Sequence, residues 1–300
     1  YLAKLINRLS GGRMEVKVYG SGELVPALQV FESVASGAAQ IGHGASYYWK
    51  GKLPMTPFFA AVPFGLNAQE MNGWLLHGGG LDLWRELYEP LGLIPEPCGN
   101  TGVQMAGWFN KEINSLADLK GMKMRIPGLG GEVWRRAGGI PVLMPGSEAF
   151  TSLETGAIDA AEWGGPYNDL AFGLFKAARY YYYPGWHEPG TTLEALINKK
   201  AYEALPKDLQ EIVTTACRTA NADLLADFTA KNNEALQTLI TKHGVELREL
   251  PKEVLRELEA ISEDMLKEQA VTELDQRILQ SFMEFKEQAK TWHRVSEQSY

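Results

Sequence analysis

Two long extended runs bracket the middle of the chain and constrain its fold more than any other feature. Residues 94–109 combine prolines and glycines with an apolar strand pattern, and residues 191–198 form a second extended run. The block between them alternates strands and helices, as residues 14–87 also do. Such a block, entered and left by extended segments, indicates two α/β lobes joined by crossing strands, with a cleft at the hinge. The same alternation predicts parallel sheets.

The lobe boundaries follow from these runs. We assign residues 1–100 and 190–250 to the first lobe, including a long connecting helix over 206–243, and residues 101–189 to the second lobe. Residues 251–300 carry apolar side chains at helical spacing with few breakers. They predict a C-terminal helical arm that leaves the body and serves dimerisation; the alternative is a helix that folds back onto its own lobe.

The first lobe is expected to bring aromatic side chains to the cleft. Residues 14–19 alternate with period two, and a short strand over 39–44 runs directly into Ser46 and the aromatic residues at 47–49. Parallel sheets bind ligands beyond the carboxyl ends of their strands, so Tyr47 is a candidate ligand contact, unless these aromatics only pack a loop against the core. Asn100 is a further candidate.

A strand, a glycine turn and the start of a helix follow one another around Arg125. The free amides of a first helical turn and the helix dipole attract anions, and the planar guanidinium at the strand end matches a carboxylate. The glycines at 128–131 lack the third glycine of a dinucleotide fingerprint and the lysine of a phosphate loop. We therefore expect a carboxylate site over Arg125; the alternative is a plain turn with a surface arginine.

Further polar side chains stand at element ends. Gln104 lies within the first extended run, Glu162 at a strand end ahead of two glycines, and Glu188 in a loop directly before the second run. Each carboxylate has the alternative of being a solvated loop residue. His187 is interpreted as a base, a ligand or, more often for a single histidine without an evident partner, a structural residue.

Charge narrows the function. The net charge of -8 and scattered Lys and Arg argue against nucleic-acid binding, and the sequence contains no apolar run of about eighteen residues that could span a membrane.

Two carboxylates beside Arg125 would repel an anionic ligand unless a cation bridged them. Oxygen donors from Glu162, Glu188, the Gln104 amide and a backbone carbonyl suit calcium or sodium, and no Cys/His cluster favours zinc.

Four segments resemble the extracytoplasmic solute-binding subunits of TRAP transporters: GGRxEVxVY at 11–19, GELVP at 22–26, LKGMKMRIP at 119–127 and LxxGAIDAAEW at 153–163. Within that family the chain is similar to the branch that binds 2-oxo and 2-hydroxy monocarboxylates, such as pyruvate and lactate, with a metal ion. The resemblance implies a two-lobed periplasmic-binding-protein fold, delivery of ligand to a TRAP membrane permease, a periplasmic location and a homodimer. An export signal is expected upstream of this sequence.

The resemblance also implies residue roles. Arg125 matches the arginine that pairs with the substrate carboxylate, while Gln104, Glu162 and Trp163 match positions that hold ligand and cation, Trp163 through its backbone carbonyl. Glu188 stands where the sodium-binding oxo-acid binders carry glutamine. The additional negative charge favours a divalent ion, so we expect calcium with lactate or a related acid, and keep sodium with pyruvate as the alternative.

Two other functions remain open at this stage. One is a metal-dependent enzyme acting on 2-oxo or 2-hydroxy acids, with Glu162 or Glu188 as base; no nucleophile beside a base and no open metal-ligand set favours it. The other is a sensing or docking module whose partner detects lobe closure.

Overall fold

The computed structural model describes residues 1–298. The helices in this part of the chain are α1 Leu2–Leu9, α2 Val30–Ala35, α3 Ala68–His77, α4 Gly80–Tyr88, α5 Gly128–Arg136, α6 Gly146–Glu154, α7 Pro166–Phe172, α8 Lys199–Glu203, α9 Lys207–His243, α10 Lys252–Lys267 and α11 Glu273–Ser296. The strands are β1 Ile41–Gly44, β2 Leu93–Asn100, β3 Gly107–Phe109, β4 Lys123–Arg125, β5 Ile140–Val142, β6 Ala160–Ala161, β7 Tyr180–Tyr183, β8 Thr192–Asn198 and β9 Glu246–Glu249.

The sheet of the first lobe has three strands in the order β1-β8-β2. Both pairings are antiparallel, so the predicted parallel sheet is wrong here: β8 returns from the second lobe and inserts between β1 and β2 in the opposite direction. Residues 14–19, predicted as a strand, pair with no strand within residues 1–298, and Val18 and Tyr19 are exposed. Alternating sequence alone does not provide the neighbour that a strand needs.

The second lobe contains a six-stranded mixed sheet in the order β5-β4-β6-β3-β7-β9. Strands β5, β4 and β6 run parallel, as predicted, while β3 is antiparallel to both its neighbours. The last strand, β9, pairs in parallel with β7. The boundary that placed all of residues 190–250 in the first lobe is therefore wrong at β9, which the chain reaches only after the long helix α9 has crossed to the second lobe.

Helix α9 confirms the long helix predicted over 206–243 and ends at Gly244, whose φ of 66° closes the helix in the left-handed region. Its first half packs Val213 and Cys217 against the sheet of the first lobe. Its last turns bury Leu239 in the apolar cluster of the second lobe. The helix thus connects the two lobes physically.

Helices α10 and α11 form the predicted helical C-terminal segment, separated at Thr272, whose side chain caps α11. The arrangement is that of the fold-back alternative over most of its length. The Phe282 ring meets Phe58 and Trp74 edge-on, with centroids 5.4 and 5.2 Å away, and Arg136 pairs with Glu268 at 2.7 Å. The last two residues of the predicted arm, 299 and 300, lie outside the described residues.

Stacked aromatic rings form the centre of each lobe. In the first lobe, Phe59 stacks against both Trp74 and Trp84, with ring centroids 5.6 and 5.1 Å apart. In the second lobe, Trp108 stacks on Tyr181 at 4.0 Å. Buried aromatic surface of this kind contributes to the stability of each lobe.

Candidate metal and carboxylate site

Arg125 ends β4, and its side chain is only 1% exposed. Its Nη1 donates to the main-chain carbonyl of Glu162 at 2.9 Å and to the Glu162 carboxylate, and its Nη2 donates to the Tyr48 hydroxyl at 2.8 Å. The Nε–H is buried and has no hydrogen-bond partner among the described residues. These contacts account for three of the five N–H donors of the guanidinium, and the Nε–H is among those left for a further acceptor such as a carboxylate.

The predicted strand before Arg125 and a helix after it are confirmed, but the predicted turn over residues 127–131 is wrong, because the glycines at 128–131 form the first turn of α5 itself. Pro127 leads into α5, and Gly128 has a φ of 63° at the helix start. A Cβ built on Gly128 would stand 3.0 Å from the Cβ of Tyr47. Glycine at this position thus lets the first lobe close onto the turn that follows the arginine strand.

Glu162 directly follows β6 and is fully buried. One carboxylate oxygen is bound by Arg125, and the other lies 3.3 Å from Nε2 of His187. Burial by itself raises the pKa of a carboxyl group, but the charge of Arg125 and the hydrogen bond from His187 outweigh it, so the pKa of Glu162 is lowered. Glu162 is therefore a buried anion.

Glu188 is the second buried carboxylate, with 3% exposure. It accepts a hydrogen bond from the Thr191 hydroxyl, and the Tyr47 hydroxyl lies 3.5 Å away. Burial, followed by repulsion from Glu162, raises the pKa of Glu188 well above its usual range. Glu162 and Glu188 are therefore adjacent buried carboxyl groups whose pKa values are shifted in opposite directions.

Glu162, His187 and Glu188 come together as a possible metal-binding group, with one ligand atom from each lying within 4.8 Å of the others. Gln104 is linked to them because its amide nitrogen and Glu188 share the Thr191 hydroxyl, at 3.3 Å on the Gln104 side. The side-chain amide oxygen of Gln104, Oε1, is buried and has no partner among the described residues. Two carboxylates and an unsatisfied amide oxygen fit a hard cation.

The crossing segments that carry these residues are packed tightly together. The Gln104 N–H donates to the Glu188 carbonyl at 3.0 Å, and the Phe64 N–H donates to the Trp186 carbonyl at 2.8 Å. A Cβ at Gly185 would lie 1.9 Å from the Gln104 carbonyl oxygen, so only glycine permits this approach. The polar residues of the site are therefore held at the junction between the lobes.

Trp163 and Asn100 are placed near the cleft in different ways. The Trp163 ring lies beneath the guanidinium of Arg125, 5.2 Å from Cζ, and packs against Gly146, where any Cβ would overlap the indole. Asn100 is buried and uses its side chain within the crossing strands, donating to Thr192 at 3.3 Å and accepting from the Gly102 N–H at 2.8 Å. The backbone-carbonyl role of Trp163 and a ligand contact at Asn100 remain predictions.

Sequence reasoning underestimated three residues. His187 was interpreted more often as structural for want of a partner, yet it faces Glu162. Tyr48 was considered only as one of the aromatic residues that follow the first strand, and Thr191 was not assigned to the site, although they contact Arg125 and Glu188 respectively. Position beside an assigned residue was the available signal: each stands within three residues of Tyr47 or Glu188.

A two-lobed α/β body with a buried arginine and a carboxylate cluster at its hinge defines a small-anion binding protein of the periplasmic-binding-protein class. The chain belongs to bacterial extracellular solute-binding protein family 7 (DctP), and the model of that family matches residues 1–273. The predicted family and fold are thereby confirmed, and because proteins of this family bind solutes, the enzyme alternative is not supported.

Relatives in the family carry informative ligands. A monocarboxylate 2-oxoacid-binding periplasmic protein of Nostoc is 45% identical over 300 residues, covering 100% of this chain and 82% of its own. A TRAP solute-binding protein of Bordetella bronchiseptica, a dimer with calcium and picolinate in one active site, matches with TM-score 0.97 and 38% identity over 99% of this chain and 89% of its own. A Pseudoalteromonas atlantica relative with sodium and pyruvate matches with TM-score 0.96 and 43% identity, over 100% and 91%.

No helix within residues 1–298 combines the length and the apolar character needed to cross a bilayer.

Proposed function

We propose that this protein captures a small 2-oxo monocarboxylate of the size of pyruvate, together with a calcium ion, and delivers it to a TRAP-type membrane permease. The observation that carries the proposal is the buried contact between Arg125, whose Nε–H has no partner within residues 1–298, and the cluster of Glu162, His187 and Glu188. The relatives described for 2-oxoacids and pyruvate support this acid class over lactate, which the sequence alone favoured.

Each residue of the site has a distinct role in this proposal. Arg125 binds the acid carboxylate through its Nε–H and neutralises its charge. Glu162, Glu188, the Gln104 amide oxygen and the carbonyl of Trp163 hold the cation, which supplies positive charge to the oxygens of the acid. The Trp163 ring covers the guanidinium from one side and excludes water, which strengthens these electrostatic contacts.

Calcium is preferred over sodium because of charge count. Glu162 and Glu188 present two carboxylates within one small buried group, and a divalent ion compensates both. The known relatives include one with calcium and one with sodium, so the ion is a property of each site and not of the fold.

Ligand binding and lobe closure are coupled through Tyr47 and Tyr48. These residues belong to the first lobe, yet their hydroxyl groups reach Glu188 and Arg125, at 3.5 and 2.8 Å. Contacts made only when the lobes meet shift the equilibrium toward the closed form, which is the form that the permease recognises in this proposal.

The periplasmic location and the homodimer also belong to this proposal. Beyond its contacts with its own lobe, α11 exposes Trp292, which is 70% accessible, and the Bordetella bronchiseptica relative is a dimer. A second copy of the chain covers this end of the helix. Trp292→Asp is expected to lower the molecular mass measured by analytical ultracentrifugation from that of a dimer to that of a monomer. If the wild-type protein is itself a monomer at micromolar concentration, the proposed dimer is contradicted.

Calorimetry of pyruvate and lactate binding to metal-stripped protein, repeated with calcium and with sodium, tests the proposal. We expect pyruvate binding only when an ion is added, with calcium more effective than sodium. Strong binding without any ion shows that Arg125 suffices alone and contradicts the metal part; lack of binding of both acids under every condition contradicts the ligand class.

A further inference from the structure

His187 is more deeply integrated into the site than its surroundings in sequence suggested. The side chain is 1% exposed, and its Nε2 lies 3.3 Å from the Glu162 carboxylate oxygen that Arg125 does not bind. A Cβ at Gly130 would meet the His187 Cβ at 2.9 Å, so the first turn of α5 abuts the base of the His187 side chain. The side chain thus lies between the start of α5 and Glu162.

The contact with Glu162 determines which ring nitrogen carries hydrogen. A bare Nε2 lone pair facing a carboxylate oxygen at 3.3 Å would be repelled, so Nε2–H donates to Glu162. Nδ1 is buried and has no hydrogen-bond partner among the described residues. The single polar contact of the ring within this part of the chain is therefore the one it makes to a proposed cation ligand.

We propose that His187 is a positioning residue for the cation. By holding one oxygen of Glu162 while Arg125 holds the other, it fixes the carboxylate plane toward Glu188 and determines the preference for a divalent over a monovalent ion. A freely rotating Glu162 would turn toward Arg125 alone, and the pair of carboxylates would then match a compact divalent ion less well. This inference rests on the proposed function, since it assumes a cation at these residues.

An alternative role for the same residue is direct coordination. One ring nitrogen of His187 and one carboxylate oxygen each of Glu162 and Glu188 lie within 4.8 Å of one another, close enough to surround one ion. Imidazole nitrogen suits zinc, copper or nickel, whereas the additional amide oxygen at Gln104 and the two carboxylates suit calcium. The oxygen-rich set favours the positioning role, and the two roles respond differently to substitution.

The test compares His187→Leu with His187→Gln. Glutamine places an N–H near the position of Nε2, whereas leucine fills the volume without a donor. Calcium and sodium are each titrated calorimetrically into metal-stripped protein with no acid present. We expect leucine to lower calcium affinity about 10- to 100-fold, as loss of a supporting hydrogen bond does in metal sites, and sodium affinity by less. Glutamine is expected to retain most of the calcium affinity.

Several outcomes overturn the inference. Unchanged calcium affinity in His187→Leu does so, and so does an equal loss in both variants, which indicates either direct coordination or a space-filling role. A loss of calcium and sodium affinity by the same factor also contradicts a role in ion preference. His77→Leu, on α3 and remote from the site, serves as the control and should leave both affinities unchanged.

Two further arrangements keep the test informative. If His187→Leu does not fold, as judged by its thermal unfolding, His187→Asn replaces it, because asparagine offers a donor at the Nδ1 position but not at Nε2 and should behave as a loss variant. Because no acid is present, failure of pyruvate binding in the wild type leaves the result readable. A wild type that binds neither ion contradicts the proposed metal site itself, independently of His187.

Discussion

Arg125 and Glu162 bind each other through both side chain and main chain. Nη1 of Arg125 donates to the Glu162 carbonyl and carboxylate, while the N–H of Glu162 donates back to the Arg125 carbonyl at 3.1 Å. The two residues are 37 positions apart and meet because β4 and β6 are parallel neighbours. The pair therefore joins two strands of the second lobe and also belongs to the proposed ligand site.

Replacing the arginine should affect both roles. Arg125→Ala removes the proposed carboxylate contact and leaves Glu162 as a buried, uncompensated charge. We expect pyruvate affinity to fall by at least about 100-fold, and the free energy of unfolding to decrease by about 3–5 kcal/mol. Calorimetry and urea unfolding measure the two effects. Arg135→Ala, an exposed arginine on α5, is the control and should leave both unchanged.

A double variant separates the two effects. In Arg125→Met with Glu162→Gln, no buried charge is left alone, so most of the lost stability should return while pyruvate binding does not. Recovery of binding together with stability would show that Arg125 acts on folding only.

Glu188→Gln tests the charge argument for calcium. The substitution keeps the shape of the side chain and removes one negative charge, so sodium should support pyruvate binding better than calcium does. Thermal unfolding in the presence of each ion, and calorimetry, report the preference. Glu194→Gln is a matched control: it is also a buried glutamate near the crossing strands, but it is bound by Trp49 and Tyr88 and not by the site.

The pH dependence of stability should reflect Glu194. Burial raises its pKa to about 8, despite hydrogen bonds from Trp49 and Tyr88. Because the folded protein keeps this proton to a higher pH than the unfolded chain, the contribution is full below about pH 4.5 and is lost as pH rises toward 8. We expect Glu194→Gln to flatten the decline in urea midpoint between pH 5 and 8.5. A decline of unchanged slope would contradict this assignment.

Asp169 provides an independent version of the same effect in the second lobe. Burial raises its pKa to about 7, against hydrogen bonds from Tyr181 at 2.7 Å and Trp108 at 2.9 Å. Asp169→Asn should remove a decline of the urea midpoint with rising pH that is centred about one pH unit below the decline caused by Glu194. Coincident effects of the two variants would indicate a cause shared by both lobes.

Phe282→Ala tests how α11 is held. The ring is fully buried against Phe58 and Trp74, so its removal leaves a cavity and should lower the free energy of unfolding by about 3–5 kcal/mol. Denaturant unfolding measures it, and Lys290→Ala on the same helix is the control. A change below about 1 kcal/mol would show that α11 is not part of the cooperative unit.

The sequence predicted the parts of the site that depend on local patterns. Arg125 was found because a strand, a glycine turn and a helix start follow one another within a few residues, and the helix α9 because a long apolar periodicity has no breaker. Glu162 was predicted at a strand end, and Glu188 in a loop directly before the second extended run. These signals are contained in neighbouring residues, so a single sequence reveals them.

The remainder depends on residues distant in the chain. Whether His187 has a partner depends on Glu162, 25 positions earlier, and whether residues 14–19 pair depends on a neighbouring strand. The antiparallel sheet of the first lobe follows from β8 entering from another lobe, and β9 joins the second sheet only because α9 carries the chain there. None of these relations leaves a periodic trace in local sequence.

The pairing of β9 with β7 has a consequence for cutting the protein into pieces. Expression of residues 101–189 alone would remove β9, the partner of β7, and leave the four tyrosines of β7 as an open sheet edge. Open edges of this kind recruit other chains. A fragment of the second lobe is therefore expected to precipitate unless residues 246–249 are joined to it in the same polypeptide through a short linker. The second lobe can thus be expressed alone only from a gene in which the order of these segments is changed.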